Sequence, residues 1–300
     1  MPEQPLLSPT IDLVFKLLFG DEERKPILIA LLTAILQPES PIVDVVLLET
    51  SSISKAVNDK TIVLDILVKL QNGSMIDIEM QVLRTPEFRS RVMYYWARTH
   101  TGQIYRGDKY GKLRPTTVVV ITNYLELGTG FLHSVFQVLE KHDGSRFSDD
   151  FELHFVELPR IKDPAILAAA PPALQRWARF LGSVSDDERA EVAKEDPMID
   201  QAMVALRSLS ANPETRSAAM SREEALMLYQ MDIDAANEKG IEKGRMQSLA
   251  DAVLCVLTTR GANVTQQLRG VVEGCGDVAR FQRWLVQAST MNAGDVFHAD

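Results

Sequence analysis

The chain has 300 residues, of which 46% are hydrophobic and 24% are charged, a composition typical of soluble globular domains. No segment approaches the roughly 18 uncharged apolar residues that a membrane span requires, and the opening MPEQPLLSPT lacks the basic and apolar regions of a signal peptide. We therefore expect a cytoplasmic protein without membrane segments. Cys255 and Cys275 fit neither metal-ligand nor redox spacing, so we interpret them as small, buried apolar side chains.

The first predicted elements are two helices. Residues 10–19 form a short amphipathic pattern that places Lys16 beside apolar side chains, and residues 26–36 form a strongly apolar helix. Residues 43–48 follow as an apolar run that predicts a strand, and residues 55–60 have the composition of a turn.

Residues 61–81 predict a β-hairpin, because two apolar, β-branched runs flank the turn signal Asn72-Gly73. Side chains alternate between the two faces of a strand, so Asp77, Glu79 and Gln81 in the second run share one face. The residues between them share the other face: Ile76, Ile78 and Met80.

The length of the hairpin loop decides which residue faces Asp65, the acid of the first run. A two-residue loop would place Asp65 opposite Met80. A three-residue loop, residues 71–73, would place Asp65 opposite Glu79, and it needs a left-handed residue at its third position, where Gly73 is available. We favour the three-residue loop. Two carboxylates so close repel each other, and a divalent cation between them relieves the repulsion.

The next element is a helix predicted over residues 86–106, with Arg91, Tyr95 and Arg98 on one stripe of its surface. It belongs to a basic stretch, since residues 84–114 contain eight Lys or Arg against two acids. The net charge of the whole chain is −9, which argues against nucleic acid as a partner. A basic flank beside an acid-lined site nevertheless suits a phosphodiester substrate.

The rest of the chain divides into a strand-containing part and a helical part. Residues 116–122 predict a strand buried on both faces, residues 131–139 are ambiguous, and residues 153–158 predict one more strand. Strand signals cease after Ile161. The segments that follow predict helices: 173–182, 186–194, 198–209, 222–258 and a helical module over 264–297. We predict an α/β core over 1–162 and a helical region over 163–300, a candidate oligomerisation or regulatory module.

Six short motifs in this order resemble one known family. They are FKLLF near the start, LD and IEMQ in the hairpin, then R-x-x-YYW, GDKY and LHFVELPR. Together they span about Asp12 to Leu158 and resemble the recombination-promoting nucleases, also described as PD-(D/E)XK nuclease family transposases. The resemblance implies a restriction-endonuclease-like α/β fold, in which helices flank a mixed sheet. It also implies metal-dependent cleavage of DNA by an endonuclease, and we expect a homodimer.

Carried over by position, the resemblance assigns the catalytic and metal-binding residues. Asp65 matches the first motif acid, Glu79 matches the second, and Gln81 takes the place of the motif lysine. Asp65, Glu79 and the main-chain carbonyl of Met80 would hold Mg²⁺, for which Mn²⁺ could substitute. Asp77 lies where the family has an amide or another polar residue, so we rank it lower as a ligand.

The resemblance also points to residues that would contact DNA. Gln81 is neutral and adds no charge at the lysine position, so another cation should approach the phosphate, and Arg91 and Lys16 are the candidates. Tyr95 and Arg98 complete the predicted DNA-binding set.

Plainer interpretations stay open beside these. Glu79 and Gln81 could belong to the exposed polar face of an amphipathic strand, and Lys16 could be a surface lysine. The same fold could bind DNA with weak or lost cleavage. Alternatively, the helical region could do the work of an interaction protein while the core serves as a scaffold.

Overall fold

The computed structural model describes residues 5–48 and 66–290 of the chain. Asp65 and the turn predicted over 55–60 lie outside the described residues. The chain forms two compact units, Met1–Leu226 and Met227–Asp300. None of the described helices is long and apolar enough to cross a membrane.

The described part of the first unit contains a mixed sheet of six strands in the order β1-β2-β3-β4-β6-β5. Strands β3, β4 and β6 run parallel to one another, and the other neighbours are antiparallel. The mixed sheet flanked by helices confirms the predicted α/β fold. The strands are β1 Val45–Leu48, β2 Ile66–Leu70, β3 Met75–Gln81, β4 Thr116–Thr122, β5 His133–Gln137 and β6 Phe151–Glu157.

The described helices are α1 Asp12–Phe19, α2 Lys25–Leu36, α3 Phe88–Thr101, α4 Pro164–Ala168, α5 Pro172–Gly182, α6 Asp186–Glu195, α7 Pro197–Ala211, α8 Pro213–Thr259, α9 Gln266–Glu273 and α10 Val278–Thr290. Most helices agree with the predicted ones within a few residues, but α8 begins nine residues before the predicted start at 222, α4 was not predicted, and α3 ends early. The prediction that α3 continues to residue 106 is wrong. Its last turn closes at Gly102, whose N–H donates to the Arg98 carbonyl at 2.9 Å. The ambiguous segment 131–139 contains strand β5.

The hairpin between β2 and β3 has the predicted three-residue loop. Gly73 has φ of +87°, a left-handed conformation that glycine adopts without strain. The Leu70 N–H donates to the Ser74 carbonyl at 2.8 Å, and Ile66 pairs with Ile78. The predicted register is therefore confirmed for the described part of the hairpin, which begins one residue after Asp65.

The two faces of the sheet pack against different helices. Ile76, Ile78 and Met80 join a large core with α1, α2, α5 and α7, in which Trp177 is among the largest fully buried side chains. On the other face, Phe88 and Val92 of α3 pack on residues of β4 and β6. Because α5 and α7 share a core with the sheet, they belong to the first compact unit. The functional division at residue 162 stays a prediction.

The described part of the second unit contains the C-terminal part of α8 with α9 and α10, around Leu257, Phe281 and Trp284. Our interpretation of both cysteines as buried is wrong, since Cys255 is exposed and Cys275 is half-buried. Cys255 lies on a helix whose apolar contacts are made by its neighbours Val253, Leu254 and Leu257.

Strands β5 and β6 each contribute one histidine to a pair, His133 and His154, whose titration should affect stability. His133 Nε2 lies 2.9 Å from His154 Nδ1, and His154 Nε2 lies 3.2 Å from a Glu152 oxygen. Burial, followed by the charge of His154, lowers the pKa of His133 to about 4. The unfolded chain therefore takes up a proton near the ordinary pKa of 6.5, whereas the folded protein resists it until about pH 4.

Stability should consequently fall as the pH drops from about 6.5 to about 4, by about 1–3 kcal/mol from this group. We expect His133→Gln to flatten this part of the pH profile in urea denaturation. His142→Gln is the matched control because the His142 side chain is 87% exposed. An unchanged slope in His133→Gln would show that other groups cause the pH dependence.

Candidate active site

The acids of β3 are buried on the face of the sheet that α3 covers. Asp77 is 0% exposed and Glu79 is 2% exposed, while Gln81 at the strand end is half-buried. Tyr95 of α3 packs beside Met75 on the same face of β3. The interpretation of Glu79 as part of an exposed polar face is therefore wrong. Burying two carboxylates costs free energy, which indicates that Asp77 and Glu79 do more than keep this face of the strand soluble.

A hydrogen-bonded chain links Glu79 to α3. Gln81 Nε2 donates to Glu79 Oε2 at 3.2 Å, and Arg91 Nη2 donates to Gln81 Oε1 at 2.8 Å. These two bonds orient the Gln81 amide, with nitrogen toward the carboxylate and oxygen toward the guanidinium. Gln81, the residue predicted to replace the motif lysine, is neutral, and its amide links the positive charge of Arg91 to the carboxylate of Glu79.

Arg91 is held over an aromatic ring and keeps one donor unused. Its guanidinium carbon lies 5.3 Å from the centre of the Phe88 ring. Its Nε is buried and has no hydrogen-bond partner among the described residues. A buried N–H donor without a partner is costly, which suits a position where a ligand oxygen can accept from it.

The other three residues of the predicted DNA-binding set are spread over the unit. Tyr95 is half-buried against Leu67 and Met75, which gives it a packing role. Arg98 lies one turn further along α3, beside a cavity at the hairpin end of the sheet. Lys16 belongs to α1, which packs on the opposite face of the sheet from α3.

Two arginines of the predicted basic stretch bind an acid that the sequence pattern did not single out. Arg84 Nε lies 3.0 Å and Arg89 Nε lies 2.5 Å from the carboxylate oxygens of Glu126. Arg89 also donates to the Glu126 carbonyl at 2.6 Å. Glu126 is 8% exposed, so part of the predicted basic excess is neutralised within the protein.

Glu157, in the LHFVELPR motif, anchors the loop that carries Glu126. Its carboxylate accepts from the Glu126 N–H at 2.6 Å and from the Leu127 N–H at 2.8 Å. It also pairs with Arg160 at 2.5 Å, and it is 1% exposed. Gln81 pairs with Thr122, and Thr122 pairs with Glu157, so this anchor lies along the same edge of the sheet as the end of β3.

The donor set on β3 fits Mg²⁺ by its chemistry. Asp77 and Glu79 present carboxylate oxygens on one face, and Mg²⁺ prefers oxygen ligands. Within residues 5–48 and 66–290, no three His, Cys, Asp or Glu side chains are grouped to hold a metal ion. Asp65, the predicted second carboxylate ligand, lies outside the described residues, so the complete ligand set stays a prediction.

A mixed six-strand sheet flanked by helices, with buried carboxylates on an inner strand, is consistent with a nuclease-like fold of the PD-(D/E)XK type. The family model for PD-(D/E)XK nuclease family transposases matches residues 9–236, and the chain belongs to this family. This confirms the resemblance based on the motifs and extends it through α7 into α8. Searches of the curated proteins and of the solved structures returned no match.

Proposed function

We propose that this protein is a Mg²⁺-dependent DNA endonuclease of the recombination-promoting, transposase-like type. The observation that supports it best is the hydrogen-bonded chain from the buried Glu79 through Gln81 to Arg91. It lies at the position of the family motif and joins a carboxylate ligand, a positioned amide and a cation. These are the groups that phosphodiester hydrolysis needs. A cytoplasmic location and a dimeric state are further parts of the proposal.

Asp65, Glu79 and the main-chain carbonyl of Met80 would hold the metal ion, with Mn²⁺ as a substitute for Mg²⁺. A bound Mg²⁺ supplies Lewis-acid polarisation of the scissile phosphate. Glu79 is shielded from bulk water, and its contact with Gln81 keeps the carboxylate in one orientation. A water-excluded carboxylate interacts with cations more strongly than an exposed one does.

Gln81 and Arg91 would act on the substrate directly. The Gln81 amide nitrogen has two hydrogens, of which one points to Glu79 and the other can orient the attacking water. Arg91 brings a guanidinium next to the Gln81 amide, and its charge would stabilise the transition state. Arg98, Tyr95 and Lys16 remain the proposed contacts to flanking DNA.

The proposal is tested by nicking of supercoiled plasmid by the purified chain in Mg²⁺, Mn²⁺ and EDTA. We expect nicking in both metals and none in EDTA. Binding of the plasmid without nicking in either metal would contradict the proposal. That result would favour the alternative of a DNA-binding protein that has lost cleavage.

The same assay run under single-turnover conditions isolates Gln81. Gln81→Ala should cleave about 10²–10³-fold more slowly, the loss seen when one positioned hydrogen-bond donor is removed. Gln81→Lys should retain measurable activity, because an ammonium can also orient water, although it cannot accept the bond that Arg91 Nη2 donates to Gln81 Oε1. Gln201→Ala, an exposed glutamine on α7, is the matched control. A parental rate in Gln81→Ala would remove Gln81 from the mechanism.

A further inference from the structure

A basic cavity lies at the hairpin end of the sheet, away from the Gln81 end of β3. Its volume is about 730 Å³, and it is bounded by the hairpin, the C-terminal end of α3 and residues 102–114, here called the basic loop. Its described lining contains no carboxylate. The lining includes four cationic side chains: Lys69, Arg98, Lys112 and Arg114. Such a cavity is suited to anionic groups.

The basic loop is held in shape by its own hydrogen bonds. Gln103 Nε2 donates to the Arg114 carbonyl at 3.0 Å, and the Arg114 N–H donates to Gln103 Oε1 at 3.0 Å, which closes the loop. Asp108 accepts from the Tyr105 N–H at 2.9 Å and pairs with Lys112. Gly107 has φ of +96°, which permits the tight reversal inside the loop. A closed loop presents its outer side chains with little ordering cost on binding.

Those outer side chains are aromatic and cationic. Tyr105 is 72% exposed and Tyr110 is 82% exposed, although both are large rings. Arg106 and Lys109 lie between them and make no ion pair with a described residue. One exposed tyrosine needs no explanation, but two that flank a pair of cations beside a basic cavity match the pattern of single-strand binding surfaces.

We propose that the basic loop and its cavity bind single-stranded DNA next to the cleavage site. The cations would contact phosphates, and Tyr105 and Tyr110 would stack on unpaired bases. Bases in a duplex are already stacked on one another, so the rings select unpaired ones. The inference rests on the proposed function for its choice of DNA as the ligand.

The position of the cavity fits a strand that also reaches β3. Met75 lines the cavity, and Glu79 lies four residues further along the same face of the same strand. At about 3.3 Å per residue, that separation is about 13 Å. It corresponds to about four nucleotides of a stacked strand at about 3.4 Å each. The cavity therefore lies within about four nucleotides' length of the proposed cleavage site.

The test is fluorescence anisotropy of labelled oligothymidine of about 20 nucleotides with the full chain in EDTA, which prevents cleavage. We expect tighter binding than to a duplex of equal length. Tyr105→Ala and Tyr110→Ala should each weaken binding about 10-fold, the effect of losing one stacked base. Tyr229→Ala, an exposed tyrosine on α8, should bind like the parent. Equal or tighter binding of the duplex would overturn the proposal, as would parental affinity in both loop variants.

A charge variant gives a second measurement that does not depend on the rings. Arg106→Gln combined with Lys109→Gln should reduce the slope of log K against log salt by about 1.4, since each phosphate contact on a single strand contributes about 0.7. Lys141→Gln with Arg207→Gln removes the same charge from other exposed positions and should leave the slope unchanged. If the two double variants had the same salt slope, Arg106 and Lys109 would not contact phosphates and this part of the proposal would be wrong. These measurements follow binding and not cleavage. They therefore test the single-strand proposal even if the parent protein fails to nick plasmid in Mg²⁺.

Discussion

Replacing Glu79 with alanine is expected to slow metal-dependent DNA cleavage by about 10³-fold or more under single-turnover conditions. The substitution removes a proposed metal ligand and also the acceptor that orients the Gln81 amide. Removal of one positioned group alone costs about 10²–10³-fold, and here two functions are lost together. Glu79→Gln should lose a similar factor, because a neutral amide of the same size replaces the charged ligand.

The variants should stay folded, which thermal denaturation followed by circular dichroism can check. The substitution removes one of two buried carboxylates on β3, so their mutual repulsion is relieved. Glu87→Ala is the matched control, since Glu87 is an exposed acid at the start of α3. Cleavage at the parental rate by Glu79→Ala would place the catalytic centre elsewhere. A comparable loss in Glu87→Ala would instead point to a general effect of charge on DNA binding.

The features of this fold that depend on neighbouring residues were predictable from the sequence. The hairpin register follows from Gly73, because only a loop with a left-handed third residue places Ile66 opposite Ile78. The alternation of Asp77 and Glu79 with Ile76 and Ile78 likewise predicted two chemically different faces of β3. Both inferences use contacts within a few residues along the chain.

The features that depend on distant residues were not predictable. The burial of Asp77 and Glu79 results from the packing of α3 on their face of the sheet, and no local pattern distinguishes it from solvent exposure. The pairing of Arg89 with Glu126 joins residues 37 positions apart. From the sequence, Arg84 and Arg89 therefore resembled substrate-binding cations. Strand β5 was ambiguous because its exposed edge carries apolar side chains such as Val135 and Phe136.

Glu157 at the end of β6 holds both the loop at residues 126–127 and Arg160. Among the buried acids of the first unit whose partners are described, we expect the loss of Glu157 to reduce stability most. We expect Glu157→Ala to lower the free energy of unfolding by about 3–5 kcal/mol, because it leaves Arg160, the buried Glu126 N–H and the half-buried Leu127 N–H without their acceptor. Urea denaturation followed by tryptophan fluorescence measures the loss, since Trp96 and Trp177 lie in the first unit. Glu140→Ala is the matched control. Glu140 also accepts from two backbone N–H groups, but at an exposed turn where water replaces it.

Hydrogen exchange distinguishes this anchoring role from a general loss of stability. The amides of Glu126 and Leu127 donate to Glu157, so they should exchange faster in Glu157→Ala even where the core of β4 stays protected. Unchanged exchange at both amides would show that other contacts hold the loop. The consequence should reach the proposed active site, because this loop carries Glu126, Glu126 holds Arg89, and Arg89 lies half a turn before Arg91 on α3. Cleavage by Glu157→Ala should therefore fall even at temperatures where the variant is fully folded.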